Sequence, residues 1–129
     1  MNLFDIVGPV MVGPSSSHTA GAAKIGNVCN KLMAEEIDSV EIYLHGSFAS
    51  TGKGHGTDKA LVGGLLGMSC DDIRLPNSFE IAKEKGLKFS ISEIDLGDAH
   101  PNTAKIVMHG RTGHSLEVVA CSIGGGRIQ

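Results

Sequence analysis

The stretch SVEIYLHGSFASTGKGHGTDKAL, residues 39–61, joins the clearest strand of the chain to a helix through a glycine-rich loop. Apolar and polar residues alternate from Ser39 to His45, which is the period of a half-buried strand. After the loop, Thr57 or Asp58 is predicted to cap the helix. The apolar face of that helix is formed by Leu61, Leu65 and Met68.

The elements on either side of this stretch follow from apolar periodicity. A helix is predicted after Ser17, with an apolar stripe at the 3.6-residue period formed by Ile25, Val28, Cys29, Leu32 and Met33. A short helix is predicted between Asn77, which forms a capping-box pattern with Glu80, and Gly86. Three further strands, the last two joined as a hairpin, are predicted over Leu87–Leu96, Ala104–His109 and Ser115–Ile123.

The order of these elements is helix, strand, helix, short helix and three strands. It predicts an α+β fold, a two-layer sandwich in which helices pack on one face of a four-stranded sheet. A chain of 129 residues is long enough for one such domain and too short for two.

Charge and hydropathy argue against several function classes. The net charge is −3 and no basic run occurs, so no nucleic-acid partner is predicted. The longest apolar stretches are broken by glycine and are far shorter than the roughly 20 residues that span a bilayer, so no membrane association is predicted. The first ten residues lack the basic region of a secretory signal. We therefore expect a cytoplasmic protein.

The cysteine and histidine spacing assigns no metal to this chain. Cys29, Cys70 and Cys121 form no C-x-x-C pair, and an odd count in a reducing compartment predicts free thiols. Each has apolar neighbours, so each is predicted to be a small buried side chain. No histidine pair has zinc-ligand spacing. Glycine, with 18 residues, is about twice as abundant as usual, which predicts loops that approach a ligand or partner closely.

Three polar motifs are candidates for chemistry. The first, VGPSSSHTAG at residues 12–21, places hydroxyls and the His18 imidazole at a helix start, where exposed N–H groups favour an anion such as a carboxylate. Ordinary capping by one hydroxyl is the alternative. An imidazole at such a position can titrate near neutrality, which favours a functional role for His18.

The second motif is the loop at residues 46–58. It fails the P-loop pattern, because Ser47 and Gly54 stand where glycine and a hydroxyl residue are required. His55 lies between two glycines with no apolar setting, so it is either a functional histidine or an exposed one without a role. The third motif, HPNT at 100–103, offers the Asn102 amide as donor and acceptor, but alone it indicates only a turn. The remaining histidines, His45, His109 and His114, are predicted to be structural or solvated.

Taken together, GPSSSHTAGAAKIG, HGSFASTGKGHGTDKAL and HPNTAKI resemble, in this order and spacing, the amino-terminal region of the β chain of iron-sulfur-dependent L-serine dehydratases. The resemblance covers essentially all of residues 1–129. It implies that L-serine loses water to give aminoacrylate, which becomes pyruvate and ammonia. It also implies a [4Fe-4S] cluster that acts as a Lewis acid on the serine hydroxyl, with its cysteine ligands on an α chain and none on this chain.

The same resemblance assigns site residues. The serine-rich motif matches Ser15, Ser16, Ser17, His18 and Thr19, and the glycine-histidine motif matches Lys53, Gly54, His55, Gly56, Thr57 and Asp58. These residues would line the cavity opposite the cluster. We expect His55 to be the base that removes the α-proton, and His18 and the serines to hold the substrate carboxylate. Asn102 is expected to orient the substrate.

The resemblance further implies a mixed sheet, similar to the allosteric substrate binding domain of some 3-phosphoglycerate dehydrogenases. Two-chain members usually continue into an ACT-type domain, and we expect no such domain within residues 1–129. The expected partners are L-serine and the α chain, and a homodimer of this domain is also expected. The isolated domain is expected to be inactive. Two other functions stay open: a regulatory module that binds serine or an anion, and a structural interaction domain.

Overall fold

The computed structural model describes residues 4–15, 18–52, 56–99 and 102–124. In chain order the elements are β1 (Phe4–Ser15), α1 (His18–Met33), β2 (Ile37–Gly46), α2 (Ser47–Gly52), α3 (Thr57–Leu65), a 3-10 turn (Leu75–Asn77), α4 (Ser78–Glu84), β3 (Lys88–Glu93), β4 (Asn102–Gly110) and β5 (Ser115–Gly124). Within these ranges, no helix has the length and apolar character needed to cross a membrane.

The strands form one mixed sheet in the order β1-β5-β4-β2-β3. The outer pairs, β1 with β5 and β2 with β3, are parallel, whereas β4 is antiparallel to both of its neighbours. All strands except β4 therefore run in one direction. The last residues of β1, β2, β3 and β5 consequently lie at the same end of the sheet as Asn102, the first residue of β4. This end is termed the motif end below.

The structure confirms the α+β fold, the mixed sheet and all four predicted strands. It adds β1 as a fifth strand, so the four-strand count is wrong. Strand β1 is not predicted from the sequence, because Gly-Pro pairs at residues 8–9 and 13–14 are typical of loops. As an edge strand, β1 tolerates proline, and its register with β5 shifts between Val7 and Val10 and between Val12 and Ser15, across those pairs.

Local predictions in the glycine-rich loop need correction. Residues 47–52, predicted as loop, form α2, and the Phe48 side chain is fully buried there. The N-cap of α3 is Gly56, with φ of 92°, so neither Thr57 nor Asp58 caps the helix and both lie in its first turn. This left-handed backbone conformation favours glycine.

At α4 and β3 the predictions are partly right. Asn77 is the N-cap of α4, as predicted, but its side chain makes no capping hydrogen bond. Helix α4 ends at Glu84, close to the predicted Gly86. Strand β3 ends at Glu93, three residues before the predicted Leu96, and the chain then leaves the sheet.

One face of the sheet packs against the helices, which confirms the two-layer arrangement. Alternate apolar residues of β2, β4 and β5 share a single core with α1 and α3; the strand residues of this core include Val40, Ile42, Leu44, Ala104, Ile106, Met108, Leu116, Val118 and Ala120. The opposite face carries charged and amphipathic residues that are partly or fully exposed, among them Glu41, Tyr43, Lys105 and Glu117.

Helices α1 and α3 cross at backbone contact. A methyl group on Gly26 would collide with the carbonyl oxygen of Leu61, and one on Gly64 would collide with the carbonyl oxygen of Ala23. Asn27 of α1 donates to the carbonyl oxygens of Gly64 at 3.0 Å and Met68 at 2.9 Å. These bonds tie α1 to the last turn of α3 and to the turn that follows it.

The neighbouring glycines 63 and 64 provide a matched test of this crossing. Gly64→Ala should lower the free energy of unfolding by roughly 1–3 kcal/mol, because the new methyl meets backbone that cannot rotate away. Gly63→Ala should lower the free energy of unfolding by less, because its methyl meets the flexible end of the Leu75 side chain. Both substitutions replace glycine by alanine within α3, so the gain in helix propensity is the same and cancels when the two variants are compared. Denaturant unfolding of both variants measures the difference. Equal free energies of unfolding would contradict the close backbone contact between α1 and α3 at Gly64.

Candidate functional site

The three polar motifs of the sequence meet at the motif end. Ser15 is the last residue of β1 and pairs with Gly124 of β5. Helix α1 begins three residues later, at His18. Gly46, where the glycine-rich loop starts, pairs with Asn102 of the third motif. The mixed sheet therefore brings together segments that are up to about 90 residues apart in the chain, as follows from their numbers.

The starts of α1 and α3 lie against each other. A methyl group on Gly56 would lie 3.7 Å from Oγ1 of Thr19. The first N–H groups of a helix have no intrahelical partner, so two such starts side by side favour an anion. Beside them is a cavity of about 230 Å³, lined by Thr19, Gly56, Asp58, Lys59, Leu75 and Pro76. It is smaller than the roughly 300–1,000 Å³ of sites for drug-sized ligands, and it suits a small metabolite.

The motif end also holds most of the buried polar side chains. Among the side chains that the structure describes, six polar or charged ones are buried: His45, Thr57, Asp58, Ser78, Thr103 and Ser122. All except Ser78 lie at the ends of β2 and β5, at the start of β4 or in the first turn of α3. Burial of a polar group costs free energy unless it is hydrogen-bonded, so a concentration of such groups at one end marks a candidate site.

Hydrogen bonds fix the first turn of α3 in place. Asp58 Oδ1 accepts a hydrogen bond of 2.7 Å from the backbone N–H of Lys59, and the N–H of Ala60 donates to the carbonyl oxygen of Gly56 at 2.9 Å. Ser78 donates its hydroxyl to the carbonyl oxygen of Lys59 at 2.7 Å. A ligand at this helix start would therefore meet a preorganised backbone.

The structure brings several predicted site residues together. Thr19, Thr57 and Asp58 lie at the paired helix starts, and Asn102 lies at the same end of the sheet with a partly buried side chain. The backbones of Ser15 and His18 are at this end as well. The predicted residues Ser16, Ser17, Lys53, Gly54 and His55 lie outside the described residues, so their roles stay predictions.

Three residues of this end were not assigned to the site from the sequence: His45, Thr103 and Ser122. His45 is predicted to be structural or solvated, and it is buried and bonded to residues 96–99. Thr103 is the last residue of the HPNT motif, and this membership is the only signal for it in the sequence. His109 is also structural, because its Nδ1 lies 2.9 Å from Ser115 Oγ.

The three cysteines do not converge. Cys29 lies in the core, and burial raises the pKa of its thiol to about 12. Cys121 on β5 is partly buried, which also raises its pKa. Cys70, predicted to be buried, is instead exposed after α3. Over the described ranges, no three His, Cys, Asp or Glu side chains are placed to hold a metal ion. These side chains do not fit an iron-sulfur cluster.

A family model and two relatives that match nearly the whole chain all indicate the same protein family. Residues 2–86 match the family model for the serine dehydratase beta chain. The chain is 53% identical over 127 residues to the L-serine dehydratase beta chain of Peptoniphilus asaccharolyticus, covering 98% of this chain and 57% of that protein. It is 48% identical over 128 residues to a probable L-serine dehydratase beta chain of Bacillus subtilis, covering 99% and 58%. The chain thus spans little more than half the length of these relatives.

About half of this chain also matches part of a longer L-serine dehydratase. L-serine dehydratase 1 of Escherichia coli is 40% identical over 72 residues, which are 52% of this chain and 16% of that protein. In that relative the matched segment is a small part of a larger polypeptide.

Thiol labelling tests the placement of the cysteines. Iodoacetamide near pH 8 should modify Cys70 first, because only the thiolate is nucleophilic and Cys70 is exposed. Cys29, with a pKa near 12 and a buried thiol, should react only when the protein unfolds. Mass spectrometry of timed samples gives the order, and Cys70→Ser is the control. Labelling of Cys29 as fast as Cys70 in folded protein would contradict the structure.

Proposed function

Since the chain belongs to the serine dehydratase beta chain family, we propose that it forms one wall of the active site of an L-serine dehydratase. The reaction converts L-serine to pyruvate and ammonia. The observation that carries the proposal is the convergence of three polar motifs at the motif end. Of the six polar side chains that are buried in the described part of the chain, five lie there. The small cavity at the paired helix starts suits a substrate the size of serine.

The substrate carboxylate is held at the starts of α1 and α3. The N-terminal ends of the two helix dipoles supply positive potential there, and the hydroxyls of Thr19 and of the serine-rich motif supply donors. His18, as the first residue of α1, contributes to the same binding. Lys53, Gly54, Thr57 and Asp58 shape this wall, and Asn102 orients the substrate from the start of β4.

His55 acts as the general base. It takes the α-proton of serine as the bond from Cβ to the hydroxyl breaks, and the departing hydroxide takes a proton back from the His55 imidazolium and leaves as water, which gives aminoacrylate. Tautomerisation to the imine and hydrolysis then give pyruvate and ammonia. A histidine suits this task because its pKa lies near working pH. The hydroxyl needs a Lewis acid, which is the [4Fe-4S] cluster of the family, held by a partner α chain.

A regulatory module that binds serine or another anion is the second candidate function. The cavity lies within one chain, so this module needs no partner residues to form its pocket. Calorimetric titration of the chain with L-serine distinguishes the two functions. The active-site wall predicts at most weak binding without the α chain, whereas a regulatory module binds serine alone.

The sheet face opposite the helices offers a surface for assembly. This face is partly exposed, and Ile6 of β1 is 72% exposed. We propose that a second copy or the α chain covers it.

A cytoplasmic location is proposed because free, widely spaced cysteines are typical of a reducing compartment.

Light scattering tests self-association. We expect a homodimer at high concentration, because association removes the exposed sheet face from water. A monomer at every concentration would contradict the homodimer and would leave the αβ complex to be tested by co-purification.

The chain purified without a partner should not form pyruvate from L-serine, because its described residues offer no cluster site. A coupled assay for pyruvate checks this, and addition of the iron-loaded α chain should restore turnover. Pyruvate formation by this chain alone would contradict the proposal that the cluster is held by the α chain.

In the reconstituted αβ enzyme, His55→Ala should lower kcat by roughly 100-fold or more, the scale expected for loss of a general base. The pH dependence of kcat/KM in this variant should also lose one ionisation. His18→Ala should instead raise KM, if His18 binds ground and transition states equally. Near-normal kcat and an unchanged pH profile in His55→Ala would show that another residue takes the proton.

A further inference from the structure

The segment between β3 and β4 crosses the end of β2. Strands β3 and β4 are separated in the sheet by β2, so the chain must pass over β2 to join them. At the start of the crossing, the N–H of Ile94 donates to the carbonyl oxygen of Leu44 at 2.9 Å. The crossing ends at Asn102, the proposed substrate-orienting residue.

His45 ties this crossing to the sheet. The backbone N–H of Leu96 donates to His45 Nδ1 at 3.0 Å, and His45 Nε2 lies 3.3 Å from the carbonyl oxygen of Ala99. The pair of contacts fits a neutral imidazole with its proton on Nε2, which accepts from Leu96 and donates to Ala99. The side chain is only 8% exposed, so the crossing segment covers it.

The hydrogen bonds within the crossing itself are local. Asp95 Oδ1 accepts from the N–H of Gly97 at 2.8 Å, and the N–H of Ala99 donates to Leu96 at 3.4 Å. Asp95, Gly97 and Asp98 are exposed, so little apolar packing holds this turn. The imidazole bonds it at both ends, three residues before Asn102. In the sheet, His45 also pairs with Thr103, the residue after Asn102.

We propose that His45 is a positioning residue for Asn102: by fixing residues 96–99 it sets where the start of β4, and with it the Asn102 amide, meets the substrate. This role rests on the proposed function of the motif end. It differs from a purely structural role because loss of the imidazole should act on turnover through Asn102.

The test uses the assembled αβ complex. His45→Phe keeps a ring of similar size without the two bonds, and His45→Asn keeps an acceptor near the Nδ1 position. The control is His114→Phe, the same substitution in the β4-β5 turn at the opposite end of the sheet, which should leave turnover unchanged. Measurements are kcat and KM for L-serine, and hydrogen exchange of the peptide covering residues 94–99.

His45→Phe should lower kcat/KM about 10-fold and speed exchange at residues 94–99. His45→Asn should restore part of both, since its amide oxygen can accept from Leu96. In combination with Asn102→Ala, His45→Phe should add little further loss, because both changes act on one group.

Three results would overturn the inference, and they are distinguishable. If Asn102→Ala slows turnover but His45→Phe does not, although exchange at 94–99 rises, His45 is structural only and the site assignment stands. If Asn102→Ala itself leaves turnover normal, the assignment of Asn102 fails, and the role of His45 fails with it. Multiplicative losses in the double variant would likewise separate the two residues. If His45→Phe does not assemble, the His45→Asn comparison with Asn102→Ala decides between the same outcomes.

Discussion

The backbone contact between α1 and α3 determines the arrangement of the motif end. Gly26 and Gly64 allow the two helices to approach until each presses on a carbonyl group of the other. Thr19, near the start of α1, lies beside Gly56 at the start of α3, and Asn30, near the end of α1, bonds Leu65 at the end of α3. The two helices therefore run in the same general direction and their starts lie side by side. A larger residue at the crossing would separate two helix starts whose dipoles together favour an anion.

The sheet contributes the second half of the arrangement. Because only β4 runs against the other strands, the end of β1, the end of β2 and the start of β4 meet at one end. The polar motifs that follow or precede these strands are therefore neighbours in space although they are distant in sequence. The opposite end of the sheet, where the β4-β5 hairpin turns at residues 110–114, carries none of the three motifs.

The sequence predicted those elements whose periodicity is undisturbed. Strand β2, helix α1 and the β4-β5 hairpin were all recognised, because alternation or a 3.6-residue stripe runs through them. Strand β1 was missed because its Gly-Pro pairs are loop signals that an edge strand can accommodate. Helix α2 was missed because its six residues include glycine and three hydroxyl residues, and only the tertiary burial of Phe48 reveals it.

The candidate site was predictable by residue type but not by geometry. Thr19, Thr57, Asp58 and Asn102 were identified from local motifs and the resemblance. The adjacency of Thr19 and Gly56 depends on the helix crossing, which involves residues that carry no polar signal. His45 sits on an ordinary strand alternation, so its bonds to Leu96 and Ala99 follow only from the path of the β3-β4 crossing.

We propose that the motif end is the substrate-binding wall of a two-chain enzyme. The most direct test is a structure of the assembled αβ protein with L-serine or an unreactive analogue bound. The substrate carboxylate should lie within about 3.2 Å of N–H or hydroxyl donors at the starts of α1 and α3, with the Asn102 amide in contact. A substrate held entirely by the α chain, with the motif end facing solvent, would contradict it.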